Sequence, residues 1–233
     1  MKYHHIRKAE FISRPNRFIA RVLLDGAVET VHVKNTGRCR EILTEGCTVY
    51  LEGSDNPMRK TRYDLVAAEK HRQGAPPLLI NMDSQILNHA AEEWLRRGEL
   101  FGRQADIRRE SVFGDSRFDF RIEDKGSISY LEVKGVTLEN NGIASFPDAP
   151  TERGVKHIRE LIRAHSQGFG AYLLFVIQMK EITEFRPNDI THRAFGDALR
   201  EAERAGVKLL AYDCKVTPDS MTIDKPIKIR TEY

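Results

Sequence analysis

Two short runs in which apolar and charged residues alternate constrain the fold of this chain more than any other feature. The first run covers residues 116–122, the second covers residues 128–134, and a polar segment containing Gly126 separates them. Side chains alternate between the two faces of a β-strand, and a short polar segment with a glycine is typical of a hairpin turn. The sequence therefore predicts two paired antiparallel strands.

The same alternation predicts which side chains share a face of this hairpin. Phe118 and Phe120 are expected on one face of the first strand, and Asp119 on the other. On the second strand Glu132 and Lys134 are expected to be neighbours on the polar face. If both apolar faces pack on one core, Asp119, Glu132 and Lys134 converge on one surface.

Two carboxylates beside an ammonium group suit metal-dependent phosphodiester chemistry. Mg²⁺ takes oxygen ligands, commonly one or two carboxylates together with substrate phosphate and water. The pair Asp119 and Glu132 is therefore a candidate site for Mg²⁺ or Mn²⁺. A second interpretation is an edge hairpin whose solvated face carries a cross-strand salt bridge, and spacing alone does not decide between the two.

Length and composition limit the number of domains and the cellular compartment of the protein. A chain of 233 residues permits one large domain or two small ones. No run approaches the roughly 20 apolar residues of a membrane span, and the first residues do not resemble a signal peptide, so we expect a cytoplasmic protein without membrane contact. Cys39, Cys47 and Cys214 form no Cys-x-x-Cys pair, which favours a reducing compartment and buried thiols over a zinc site.

The N-terminal third has the pattern of a small, partly open barrel. Five short β runs are predicted, with a helix-like segment near residues 40–43 after the second, and they lie at residues 18–24, 28–33, 48–51, 63–67 and 78–81. This order suits an oligonucleotide/oligosaccharide-binding (OB) fold. Residues 1–83 are assigned to this domain, and a second domain is expected from residue 84 to residue 233.

Basic charge is concentrated in the first domain. Residues 1–83 hold 14 Lys and Arg against 10 Asp and Glu, although the whole chain carries only +3. Such an excess indicates contact with phosphate, and a solvated surface explains it as well. Candidate nucleic-acid contacts are Arg17, Arg21, Lys34, Arg38 and Arg40, with Arg38 and Arg40 first because they lie beside a glycine turn. Phe18 alternates with apolar neighbours and is expected in the core rather than beneath a stacked base.

The remaining residues predict an α/β layer with mixed strand directions. Its expected elements are helices near residues 84–98, 151–165 and 190–205 and, besides the hairpin, strands at 107–113, 172–177 and 207–212. Glu93 on the first helix is preferred over Glu92 as a third acid for the metal site. Arg153 and Lys156 on the second helix are further candidates for phosphate contact.

The order of these elements, with Asp119 on one strand and Glu132-x-Lys134 on the next, resembles the PD-(D/E)xK nuclease fold. Longer motifs are more specific, and they cover residues 35–41, 116–120, 132–138 and 146–154. With these motifs the chain resembles the sugar fermentation stimulation protein A family over nearly its whole length. The dipeptide Pro147-Asp148 is not the Pro-Asp of the PD-(D/E)xK motif, because it follows the Glu-x-Lys motif instead of preceding it.

The resemblance implies an OB-like N-terminal domain, a nuclease-like C-terminal domain and binding to DNA. Residue by residue, Asp119, Glu132 and Lys134 match the nuclease triad, and Glu93 is the candidate for its helix acid. We therefore expect a DNA-binding protein of low sequence specificity with a Mg²⁺-dependent nuclease site. Two alternatives stay open: a DNA-binding regulator that keeps the fold without cleavage, and a regulator that binds RNA or sugar.

Overall fold

The structure is a computed structural model that describes residues 1–35 and 37–232. Thr36, which belongs to the first family motif, lies outside the described residues. The N-terminal part forms a six-stranded sheet of β1 (Ile6–Asn16), β2 (Ile19–Leu24), β3 (Ala27–Val33), β4 (Thr48–Gly53), β5 (Tyr63–Arg72) and β6 (Ala75–Asn81).

The first sheet closes on itself. Its strand order is β3-β2-β1-β4-β5-β6, and β3 pairs in addition with β5 in parallel, which joins the two sides into a ring. Alternate residues of β2, which are Ala20, Val22 and Leu24, point into the ring and are buried. This ring confirms the OB-like fold that the sequence predicts.

Two expectations for this part of the chain were wrong. Phe18 is 48% exposed instead of buried, because it lies in the turn before β2 begins and the strand period does not yet apply to it. Residues 40–43 form a turn where a helix-like segment was expected. The long strand β1 was not predicted at all, since its charged residues hide the two buried positions Ala9 and Phe11.

The rest of the described chain carries three helices and two further sheets. The helices are α1 (Leu87–Leu95), α2 (Glu152–Ser166) and α3 (Asp189–Arg204). The strands are β7 (Asp106–Phe113), β8 (Ser116–Asp124), β9 (Ser127–Val136), β10 (Leu138–Asn140), β11 (Ile143–Phe146), β12 (Gly170–Ile177), β13 (Glu184–Pro187), β14 (Lys208–Thr217), β15 (Ser220–Pro226) and β16 (Lys228–Ile229).

The larger of these sheets has the mixed strand directions that the sequence predicts. Its order is β15-β14-β12-β9-β8-β7, with β9, β12 and β14 parallel and the outer pairs antiparallel. The smaller sheet has the order β10-β11-β13-β16, and neither its short strands nor β15 were predicted. None of the helices in residues 1–35 and 37–232 is long and apolar enough to cross a membrane.

Both faces of the larger sheet are covered. Leu173, Phe175 and Ile177 of β12 belong to the core cluster that contains α2, α3 and the interior of the ring, whereas Leu174 and Val176 belong to the cluster that contains α1. The prediction that residues 172–177 form a strand buried on both sides is confirmed. The hairpin strand β9 pairs with β12 and therefore lies inside the sheet, not at its edge.

The predicted hairpin is present, but its aromatic residues do not share one core. Lys125 and Gly126 form the turn, both with positive φ, as a tight two-residue hairpin requires. Phe118 packs with Phe113 and Tyr130 on the α2 side, whereas Phe120 packs in the α1 cluster. The register between β8 and β9 runs from Asp124 to Phe120, and the alternation changes at Asp119, where the strands diverge.

Candidate functional site

The Asp119 carboxylate lies where β8 separates from β9. Its Oδ2 accepts the backbone N–H of Val133 at 2.7 Å, and its Oδ1 accepts the side-chain amide of Asn88 at 2.8 Å. The carboxylate thus takes the place of a missing strand partner and fixes the spacing of β8, β9 and α1. Burial and the nearby charge of Glu132 raise the pKa of Asp119 above its ordinary value.

Glu132 on β9 is almost fully buried, with 3% of its surface exposed. Its Oε1 is bound by the Lys134 ammonium and by Nδ1 of His157. Burial alone raises the pKa of Glu132, but the hydrogen bond from His157 and the charge of Lys134 outweigh that effect and lower it below its ordinary value. Glu132 is therefore ionised over the physiological pH range.

The second carboxylate oxygen of Glu132, Oε2, lacks the contacts that Oε1 makes. Oε2 is buried and has no hydrogen-bond partner among the described residues. Leaving a buried carboxylate oxygen without a partner costs free energy, so such an atom requires an explanation. One explanation is a ligand position for a cation next to Asp119, whose carboxylate oxygens each keep a lone pair after accepting one hydrogen bond.

His157 fixes Glu132 from helix α2. The Nε–H of Arg153 lies 3.4 Å from His157 Nε2, and because an arginine N–H can only donate, Nε2 is the acceptor nitrogen in this contact. Nδ1 then carries the proton that is donated to Glu132. The sequence offered one signal for His157, namely a polar residue on the apolar stripe that contains Gly154 and Leu161.

The structure does not bring Glu93 to the two carboxylates. Glu93 is half-exposed, and its carboxylate pairs with the N-terminal ammonium of Met1 at 2.7 Å. The helix residue that reaches the site is Asn88, which lies five positions earlier and so on another side of α1. In the described part of the chain, no group of three or more His, Cys, Asp or Glu side chains is placed to share a metal ion.

Three of the predicted basic residues meet in one groove. Arg17, Arg38 and Arg40 are exposed and line a groove of about 450 Å³ together with Arg14, Pro15, Asn16, Gly37 and Ala149. Arg14 was not predicted, and it holds the groove together: its guanidinium donates to the carbonyl oxygens of Arg17, Asn35, Gly37 and Arg38 at 2.6–2.9 Å. The turn before β2 is thereby tied to the loop after β3.

Lys34 is not available to a phosphate in the way that the sequence suggested. Its ammonium lies 3.0 Å from Asp64, 3.4 Å from Asp83 and 3.6 Å from Glu52, and only 17% of its side chain is exposed. Lys34 therefore compensates buried carboxylates inside the protein. These ion pairs weaken the prediction of Lys34 as a nucleic-acid contact, because sequence cannot show which acids surround a lysine.

The other basic candidates lie on exposed surfaces outside the groove. Arg21 projects outward from β2. Arg153 and Lys156 are exposed on α2, one turn apart, and Lys156 donates to the carbonyl oxygen of Asp115 at 3.2 Å. Since Arg153 contacts His157, this positive helix face borders the site of Glu132.

A second cavity connects the groove to the sheet. It has a volume of about 150 Å³, and Gly37 of the ring lines it together with Gly135, Thr137, Asp148 and Gln178. Gly37 lines both cavities, so they adjoin there, and Gly135 directly follows Lys134. A side chain at position 37 would not fit, because a Cβ there would lie 2.2 Å from an oxygen of Asp148.

Asp148, in the segment between β11 and α2, binds the loop that follows β3. Its Oδ2 accepts the backbone N–H of Arg38 at 2.9 Å, so it does not cap α2. Thr151 is the N-cap of α2 and accepts the N–H of Gly154. Asp148 is thus outside the carboxylate site, as its position after the Glu-x-Lys motif predicts.

Two family descriptions match most of the chain. Residues 12–75 match the "SfsA N-terminal OB domain", and residues 85–220 match the "Sugar fermentation stimulation protein RE domain". The first match covers β2 to β5 and part of β1, and the second begins just before α1 and contains Asp119, Glu132 and Lys134.

Similar proteins share nearly the full length of the chain. A protein of Desulfitobacterium hafniense is 55% identical over 221 residues, covering 95% of this chain and 94% of its own. Proteins of Clostridium beijerinckii and Ruminiclostridium cellulolyticum are 52% and 50% identical, covering 96% and 99% of this chain and 96% and 100% of their own. All three carry the description "Sugar fermentation stimulation protein homolog".

One solved structure has the same architecture. It is described as "The structure of Pyrococcus Furiosus SfsA in complex with Ca2+", and it superposes with a TM-score of 0.85 at 26% sequence identity. The alignment covers 99% of this chain and 98% of the other. The ring and the mixed sheet are therefore arranged in both chains in the same way.

Proposed function

The chain belongs to the sugar fermentation stimulation protein family, and we propose that it binds DNA through the groove of Arg17, Arg38 and Arg40 and cleaves it at the site of Asp119, Glu132 and Lys134. The observation that carries the proposal is the buried Oε2 of Glu132, which has no partner among the described residues and lies beside a second carboxylate. A divalent cation between the two carboxylates would satisfy that oxygen.

The residues at the site fit a hard cation. Asp119 and Glu132 supply carboxylate oxygens, and the opposite directions of their pKa shifts leave Glu132 charged, whereas Asp119 gains its charge more readily when a cation is near. The Pyrococcus furiosus relative is described in complex with Ca²⁺, which supports a divalent cation for this chain too. Asp119 and Glu132 would hold Mg²⁺ or Mn²⁺ here, and the cation would supply polarisation of a phosphoryl oxygen and a more acidic bound water.

The side chains around the cation position have separate roles in phosphodiester hydrolysis. Lys134 holds a positive charge beside Glu132 and offsets the negative charge that develops on the scissile phosphate. With two carboxylates nearby, Lys134 acts as an electrostatic stabiliser and orients the attacking water. His157 keeps Glu132 in one orientation by binding its other oxygen.

The groove would hold the DNA while the site of Asp119, Glu132 and Lys134 cleaves it. The arginines of the groove contact phosphates, which position a duplex without reading its sequence. Low sequence specificity follows, because the exposed groups of the groove are guanidinium groups suited to phosphate.

A plasmid-nicking assay with Mg²⁺ or Mn²⁺ tests the proposal. We expect the wild-type protein to nick supercoiled DNA, and Glu132→Gln and Asp119→Asn to lose this activity while they still bind DNA. Glu93→Gln is the matched control, because Glu93 is an acid of the same domain that pairs with Met1, and its activity should be unchanged. Equal nicking by Glu132→Gln and wild type would assign the activity to a contaminating nuclease and refute the site.

DNA binding is tested separately by its dependence on salt. Each phosphate contact makes the logarithm of the binding constant fall more steeply, and linearly, with the logarithm of the salt concentration. Binding with this dependence, but no cleavage of any DNA substrate, would identify a non-catalytic DNA-binding regulator. An unchanged affinity for DNA in Arg38→Ala and Arg40→Ala would exclude the groove and favour an RNA- or sugar-binding regulator.

A further inference from the structure

The exposed ring of Phe18 contacts Arg17, which lines the arginine groove, and neither the cleavage site nor the phosphate contacts use this ring. Phe18 is 48% exposed. Arg17 and Asn16, the two residues before it, line the groove. We propose that Phe18 is a stacking platform for an unpaired base of single-stranded DNA whose phosphates lie in the groove.

The backbone that carries Phe18 is held rigidly. The side-chain oxygen of Asn16 accepts the N–H groups of Phe18 and Ile19 at 2.9 and 3.1 Å. The carbonyl oxygen of Phe18 accepts the N–H of Val33 at 2.8 Å. Phe18 is therefore exposed because the fold holds it there, and a pre-ordered aromatic side chain binds a ligand with little loss of entropy.

The neighbouring charge matches the other half of a nucleotide. The Arg17 guanidinium lies 5.4 Å from the centroid of the Phe18 ring, within the range of a cation–π contact. The ring offers an apolar surface to a base, and the guanidinium offers paired N–H donors to a phosphate. Arg14 fixes the carbonyl oxygens of Arg17 and Arg38, so the two phosphate-binding sides of the groove keep a constant separation.

This arrangement selects unpaired strands. Inside a duplex both faces of each base are covered by neighbouring bases, so an external aromatic ring can stack only on a base that is unpaired or extruded. Stacking on a phenyl ring needs no particular base, which agrees with a groove that binds phosphates without reading sequence. The proposal rests on the proposed function, because it uses the same groove.

The test compares affinities measured by fluorescence anisotropy at one fixed salt concentration. The probes are a labelled oligodeoxythymidylate of about 16 nucleotides, the upper site size for one OB fold, and a duplex of the same length. Phe18→Ala should bind the single strand on the order of tenfold more weakly, which corresponds to the loss of one stacked base, and should bind the duplex as wild type does. Phe18→Trp should restore or increase affinity for the single strand.

Leu23→Ala is the control, because Leu23 is a 39% exposed apolar residue on β2, the strand that follows Phe18. Its affinity for both probes should be that of wild type. Equal affinity of Phe18→Ala and wild type for the single strand, with DNA binding intact, would overturn the stacking role and leave the proposed function standing. Failure of the wild-type protein to bind either DNA would overturn both. Tighter binding of oligouridylate with the same dependence on Phe18 would overturn the assignment to DNA.

Discussion

The stability that the ion pair between Lys134 and Glu132 contributes distinguishes two interpretations of the hairpin, a buried functional site and a solvated surface salt bridge. Only 4% of the Glu132 side chain and 15% of the Lys134 side chain are exposed. Removal of one partner from a buried pair costs about 3–5 kcal/mol, because the other charge stays buried without compensation. An exposed pair contributes about 0–1 kcal/mol.

We therefore expect Lys134→Met to lower the free energy of unfolding by about 3 kcal/mol, the lower end of that range, since His157 still donates to Glu132. Urea unfolding followed by the fluorescence of Trp94 measures this change in the right domain, because Trp94 is the only tryptophan and is buried against the larger sheet. The double variant Glu132→Gln/Lys134→Met removes both charges and should recover most of the loss.

Lys156→Met is the matched control, because Lys156 is exposed and should change the stability by less than about 0.5 kcal/mol. Saturating Mn²⁺ should stabilise Lys134→Met more than wild type, since the cation would supply the missing positive charge beside Glu132. A loss below about 1 kcal/mol in Lys134→Met would refute the reasoning and return the hairpin to a surface salt bridge.

Three further predictions concern the ring and helix α2. Burial raises the pKa of Asp64, but the charges and hydrogen bonds of Arg59 and Lys34 outweigh burial and lower this pKa below its ordinary value. Asp64 therefore stabilises the fold at pH values above its unfolded pKa, and this stability is lost as the pH falls through the folded pKa. In urea unfolding at several pH values, the free energies of unfolding of wild type and Asp64→Asn should converge in acid. Arg40→Ala should reduce the slope of the logarithm of DNA affinity against the logarithm of salt concentration by about 1, without changing the melting temperature. Lys34→Met should lower the melting temperature, because Lys34 pairs with buried carboxylates. The opposite result would reverse the roles assigned to the two residues. Thr151→Ala should destabilise the protein by about 1 kcal/mol in urea unfolding through loss of the α2 N-cap, and no change would show that the cap is replaceable.

Much of the candidate site could be predicted from local patterns. The period of two placed Glu132 and Lys134 side by side on one strand, and the polar turn predicted the hairpin that carries Asp119. Arg38 and Arg40 followed from their position beside a glycine turn, and both line the groove. These features depend on a few neighbouring residues, so the sequence contains them directly.

Other parts of the site required contacts that no local pattern contains. Asn88 and His157 come from helices α1 and α2 and meet the two carboxylates only after both faces of the sheet are covered. Glu93 was preferred over Glu92 on the expected geometry of the helix, but the helical rotation from Asn88 places it beside Met1. Arg14 was missed because its role is to bind the carbonyl oxygens of two segments that are distant in sequence.

The hairpin shows where the boundary lies between sequence and tertiary structure. Sequence alone determined that Asp119, Glu132 and Lys134 lie on paired strands, because strand periodicity and turn chemistry are local. Only the tertiary structure decided that they are buried, since β9 also pairs with β12 and helices cover both faces of the sheet. Burial is what raises the pKa of Asp119 and leaves Oε2 of Glu132 without a partner among the described residues, and these long-range effects turn a pair of acids into a candidate site for a divalent cation.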